Sequence, residues 1–203
     1  MMIKKICLCV SVLVMLFIVS GCSSSSNPDA SLYVTVASAY VPDTMNQELD
    51  ELLRAALPEL YTESQQIVVN CISTGNSETD PHTTMAGMTQ IMGMMASGEV
   101  ELLICTGENA RRYGDNGNAF MPVSELFTES ELTASGLQPV SVPVLDEEGN
   151  PTGENSVPCG IDLSGSSQLT SALYHDDIAA YVLVNTSHIE NDKDVITLLA
   201  SNP

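Results

Sequence analysis

Leu32-Tyr33-Val34-Thr35-Val36-Ala37-Ser38 is a run of apolar and β-branched residues closed by a hydroxyl. A short apolar run of this kind reads as a strand buried on both faces. Downstream, Pro42-Asp43-Thr44 offers a helix start, with Thr44 as N-cap and Gln47 at the capping-box spacing. Met45, Leu49, Leu52, Leu53, Ala56, Leu57 and Leu60 then recur at three and four residues, the period of one helix face. Gln66-Ile67-Val68-Val69-Asn70-Cys71-Ile72 is a second strand, and Asp80-Pro81 opens a second helix that Ser97-Gly98 closes. Glu101-Leu102-Leu103-Ile104-Cys105 is a third strand, followed by Thr106-Gly107-Glu108. Strand, helix, strand, helix, strand predicts an α/β fold: a mostly parallel sheet in a three-layer α/β/α arrangement.

Beyond Arg111 the pattern loosens. Tyr113-Gly114-Asp115-Asn116-Gly117-Asn118 reads as a loop, and Phe120 to Phe127 as a short helical or irregular segment. Residues 139–145 and 156–163 read as extended, joined by the turn Asp146 to Gly153, a β-hairpin-like excursion. Residues 168–173 offer a turn or two of helix and 179–185 a further strand. A last helix is expected over Asp192 to Ala200, with Asn191 as its cap.

The start of the chain reads differently. Lys4 and Lys5 precede Ile6 to Val19, 14 residues with no charge and one Ser. A bilayer span needs about 20 apolar residues, so the run fits a cleaved signal better than a permanent span. Val19-Ser20-Gly21-Cys22 resembles the lipobox of bacterial lipoproteins. That resemblance implies that Cys22 is lipidated and becomes the new N-terminus, held in the membrane on its extracytoplasmic face. Each buried methylene contributes about 0.8 kcal/mol, so two or more acyl chains anchor a protein durably. The organisation expected is a signal peptide over 1–21, a Ser-rich tether over 22–30 and one domain over 31–203.

Charge narrows the function classes. The 203 residues carry 26 acids against 6 Lys and Arg, a formal charge of −20. Cleavage after Gly21 would leave Arg54, Arg111, Arg112 and Lys193 as the basic residues, for −22. Such a chain lacks the cationic face that nucleic acid requires. With 44% apolar residues it is not a disordered chain either. Cys71, Cys105 and Cys159 remain beyond Cys22, an odd number, so at least one thiol stays free and one disulfide remains open.

The layout resembles one lobe of the extracellular solute-binding proteins of the type II periplasmic-binding fold. Ala96-Ser97-Gly98-Glu99-Val100-Glu101-Leu102-Leu103-Ile104, Phe120-Met121-Pro122-Val123-Ser124-Glu125-Leu126-Phe127, and Ala180-Tyr181-Val182-Leu183-Val184-Asn185-Thr186-Ser187 with Leu198-Leu199-Ala200-Ser201 carry the likeness. It covers most of 31–127 and 178–201. Members of that family hold a ligand between two lobes. Only about 50 residues separate the third strand's loop from the returning strand here, too few for a second lobe.

In open α/β sheets ligands sit beyond the carboxyl ends of the strands. Ser38, Tyr40, Thr74, Asn76, Thr106 and Glu108 occupy those ends, and Arg111 and Arg112 follow directly. They are the candidate ligand-binding residues, with an arginine suited to a carboxylate or phosphate. Turn chemistry and local ion pairs are the competing explanation. The stripe Met85, Met88, Ile91, Met92 and Met95 invites Cu(I), but methionine at helical spacing is more often core filler. Asp115 to Asn118 and Asp146 to Glu148 lack EF-hand spacing, so no metal is expected. His82, His175 and His188 are scattered, no nucleophile elbow, metalloprotease or phosphate-loop motif is present, and His175-Asp176-Asp177 has no activated nucleophile beside it. The expectation is therefore no enzyme and no cofactor: a membrane-anchored binding module for a small solute, or an accessory lipoprotein that docks on a membrane protein partner.

Overall fold

The computed structural model describes residues 31–146, 148, 150–175 and 177–201. The expected signal peptide, Cys22 and the expected tether lie outside the described residues, as does Asp176. The α/β class holds. Strands β1 (Ser31–Ser38), β2 (Gln66–Ser73), β3 (Leu102–Thr106), β4 (Pro139–Val140), β7 (Gly160–Asp162) and β8 (Ile178–Val182) form one sheet in the order β2-β1-β3-β8-β7-β4. A separate hairpin pairs β5 (Pro143–Leu145) with β6 (Pro151–Asn155). The helices are α1 (Met45–Ala56), α2 (Pro81–Ser97), α3 (Gly107–Tyr113), α4 (Val123–Leu126), α5 (Glu129–Ser135), α6 (Ser167–Leu173) and α7 (Ile189–Ala200).

β1 pairs in parallel with β2 and β3, whereas β8 runs antiparallel to β3 and β7, and β4 antiparallel to β7. Four strands, β1, β2, β3 and β7, therefore point one way. β1 is buried along its whole length, as its unbroken apolar run requires. Its alternate residues feed two cores. Leu32, Val34 and Val36 pack with Met45, Leu49 and Leu53 of α1 and Val195, Ile196 and Leu199 of α7. Ala37 packs on the other face with Ile91 of α2 and Ala110 and Tyr113 of α3. Two cores on one sheet give the three layers.

Several local expectations are corrected. Thr44 stands before α1 with helical dihedrals and its side chain caps nothing, while Gln47 Nε2 donates to Glu51 at 2.7 Å instead. The capping box forms at α5, where Thr128 and Glu131 bond reciprocally. α7 begins after His188 rather than after Asn191, because the His188 side chain is drawn inward to Glu101. The hairpin's outer arm is 151–155, whose residues 151–153 the sequence placed in the turn, and β4 and β7 at its base extend the main sheet. Cys71, Cys105 and Cys159 are all free thiols.

The methionine stripe is split on α2: Ile91 is buried and Met88 and Met95 pack partly against the core, but Met85 and Met92 do not. Met85 is 69% and Met92 54% exposed, while Thr84, Gly87 and Ile91 face the sheet. Small residues settle the choice. A Cβ on Gly87 would stand 2.9 Å from Thr74 Cα, so the helix lies directly on the end of β2 only because that position is glycine. Asp80 caps α2 by accepting from Thr83 N–H at 3.1 Å.

Candidate functional site

Five of the eight expected ligand residues come together. Thr74, Asn76, Thr106, Glu108 and Arg112 line a polar cleft of about 150 Å³ at the carboxyl ends of β1, β2 and β3. The close seat of α2 on β2 brings the 74–77 loop against α3. Gly75, with φ +64°, makes the turn there. Thr106 accepts from Asn109 N–H at 3.3 Å and so starts α3. α3 then presents Glu108 and Arg112 one turn apart, joined at 2.9 Å. Asn76 Oδ1 accepts from the N–H groups of Glu78 and Thr79, which fixes the loop.

The other three are placed elsewhere. Ser38 is buried beneath the rim, where its carbonyl accepts from Thr74 N–H at 2.7 Å. Arg111 does not line the cleft, because its side chain leaves α3 in a different direction from that of Arg112. Tyr40 also stands outside it, exposed, with its ring 6.4 Å from that of Tyr174.

Sequence reasoning missed His175, which lines the cleft with Ala39 and Thr84. The reason is strand direction. β8 opposes β3, so Thr106 pairs with Ile178 and the residues just before β8 arrive at the end of β3. A strand's direction leaves little trace in its own residues. His175 Nδ1 lies 3.8 Å from Asp177 Oδ1 at the surface.

A second polar cluster sits at the opposite end of β3. Glu101, 5% exposed, accepts from Tyr33 N–H at 3.2 Å and Ser187 N–H at 3.0 Å. His188 Nδ1 lies 2.9 Å from its Oε1, and Thr186 Oγ1 bridges from Glu101 to Asp192 Oδ2. Asp192 is wholly buried at the start of α7. Burial, reinforced by the nearby Glu101 charge, pushes its carboxyl up to about 7. A serine, a histidine and a carboxylate meet here, but not as a nucleophilic relay. Ser187 Oγ and Glu101 both approach the same ring nitrogen, Nδ1, whereas a relay uses the two nitrogens separately. The cluster clamps the turn into α7 onto β3.

Apolar surface is distributed over two further depressions. One, about 450 Å³, lies between Pro122, Phe127, Leu132, Pro139, Val157 and Pro158. The other, about 530 Å³, runs along Met85, Met88 and Met92 to Arg112. Among the described residues, no group of three or more His, Cys, Asp or Glu side chains is placed to hold a metal ion. No helix among them is long and apolar enough to cross a membrane. Comparison with protein-family models, with curated proteins and with solved structures finds no match for the chain.

Proposed function

We propose that the chain is an extracytoplasmic, membrane-anchored binding module without catalytic activity, resembling a single lobe of a type II solute-binding protein. Cys22, acylated, is its anchor, and the rim formed by Thr74, Asn76, Thr106, Glu108, Arg112 and His175 is its ligand surface. The observation that carries the reading is the polar cleft at the strand ends, gathered from three loops and from the approach to β8. Small-molecule pockets usually enclose about 300–1,000 Å³. This cleft encloses about 150 Å³, so it takes one edge of a ligand and leaves the rest on the surface. That matches a lobe with no facing partner, which binds weakly and reversibly.

Thermal-shift titration against amino acids, sugars, short peptides and divalent ions tests the ligand half. A shift abolished by Arg112→Ala supports the rim, and no shift with any of them removes it. Cys22→Ser tests the anchor: the protein should leave the membrane fraction for the medium, without acyl mass.

A second reading, an accessory lipoprotein docking on a protein partner, is favoured by the two apolar depressions, each larger than the polar cleft. Photo-crosslinkers placed at Met92 and Val157 in cells would capture a specific neighbour if it holds, and none if it does not.

A further inference from the structure

We infer that the rim is a saccharide site in which Tyr40 and Tyr174 offer the stacking surface and the cleft beside them receives sugar hydroxyls. The inference rests on the rim being the ligand surface and names the class of ligand.

Aromatic residues are scarce in this chain: six Tyr, three Phe and no Trp. Among the described residues Tyr33, Tyr113, Tyr181, Phe120 and Phe127 are buried. Tyr40 and Tyr174 are 57% and 78% exposed, and they stand together, with ring centroids 6.4 Å apart and planes inclined by 44°. Each adjoins the cleft along the chain, since Ala39 and His175 line it. Two exposed rings paired beside a polar cleft present a ready apolar platform, and the C–H face of a pyranose is apolar while its edge is polar.

Tyr174 also sits in a conformation that tyrosine disfavours. It closes α6 with φ 56° and ψ 35°, the left-handed region where glycine or asparagine usually ends a helix. A bulky residue there costs on the order of 1 kcal/mol. The ring gains no burial in return. A residue that is strained, exposed and beside a cleft fits a binding role better than a packing one.

The charges select a neutral partner. Glu108 and Arg112 neutralise each other at 2.9 Å. An anion would meet the −20 field of the chain, and a cation would find Glu108, the carboxylate that lines the cleft, already paired with Arg112. Amide, hydroxyl, guanidinium and carboxylate groups lie side by side in the cleft, a mixture of donors and acceptors suited to adjacent hydroxyls.

The test uses the full-length protein in a non-glycosidic detergent, titrated calorimetrically with glucose, N-acetylglucosamine, maltose and chitobiose, and with choline and phosphate as charged probes. At least one neutral sugar should bind. Tyr174→Gly should weaken it about tenfold or more. The same variant should melt at or above the wild-type temperature, because glycine relieves the strained backbone. Tyr174→Phe, which keeps the ring, should keep the affinity. Sugar affinity unchanged in both Tyr174→Gly and Tyr40→Ala overturns the inference. Binding of choline or phosphate but of no sugar overturns it too, while leaving the rim as a ligand surface. Silence from every probe overturns both.

Discussion

At Asp192 a carboxyl group lies wholly buried with one oxygen bonded to Thr186 and the other without a hydrogen-bond partner among the described residues. Its proton is held more tightly in the folded chain than in the unfolded one, where the ordinary value is 3.8. A raised carboxyl contributes stability that is present below about pH 4 and lost as pH rises through about 7. Asp192→Asn keeps the bond from Thr186 and removes the titration. Its stability relative to wild type should therefore rise by on the order of 4 kcal/mol between about pH 4 and about pH 8. Urea denaturation at the two pH values reads this directly, and parallel profiles for the two proteins would refute it. The thiols make a comparable test. Burial pushes Cys71 up to about 12, and raises Cys105 and Cys159 as well. Since the thiolate is the reactive form, iodoacetamide at about pH 8 should leave all three unmodified until the domain unfolds. Mass spectrometry across a urea series would show whether labelling follows unfolding.

At the scale of elements, α2 carries the clearest contrast between composition and placement. Its methionines outnumber its other apolar residues, yet the buried positions are Ile91 and the small Thr84 and Gly87, with Met88, Met94 and Met95 only partly buried beside them. Close approach is worth more here than bulk, because a packed interior tolerates added volume poorly. Gly87→Val should cost about 1–3 kcal/mol by forcing α2 off Thr74. Ile91→Ala should cost about 2–5 kcal/mol. Met85→Gln and Met92→Gln should stay within about 0.5 kcal/mol of wild type. Thermal melts of the four variants would reverse the assignment if the methionine changes proved the costly ones. The parallel strands were legible because each is a local apolar run bounded by turn residues, and α1 because its stripe repeats over three turns. The start of α7 was not, since His188 is fixed by Glu101, 87 positions away. At α5, Thr128 N–H, the Thr128 hydroxyl and Lys193 hold the Glu131 carboxyl down at about 2. Thr128→Ala should cost about 1 kcal/mol through loss of that cap.

For the whole molecule, the sequence located five residues of the cleft because strand ends are local features, and it missed His175 because the direction of β8 is not. Tyr174 escaped for a similar reason: nothing in Ala172-Leu173-Tyr174-His175 signals a left-handed tyrosine.

The direction of β1 carries one further consequence. Ser31 opens that strand and Ser38 closes it at the rim, seven residues on, a distance of about 23 Å at the usual strand rise. Were the chain moored ahead of Ser31 as proposed, Tyr40 and Tyr174 would lie at the end of β1 remote from the mooring point. They would look outward, toward whatever wall or medium surrounds the cell, at a reach that the length of chain ahead of Ser31 would set.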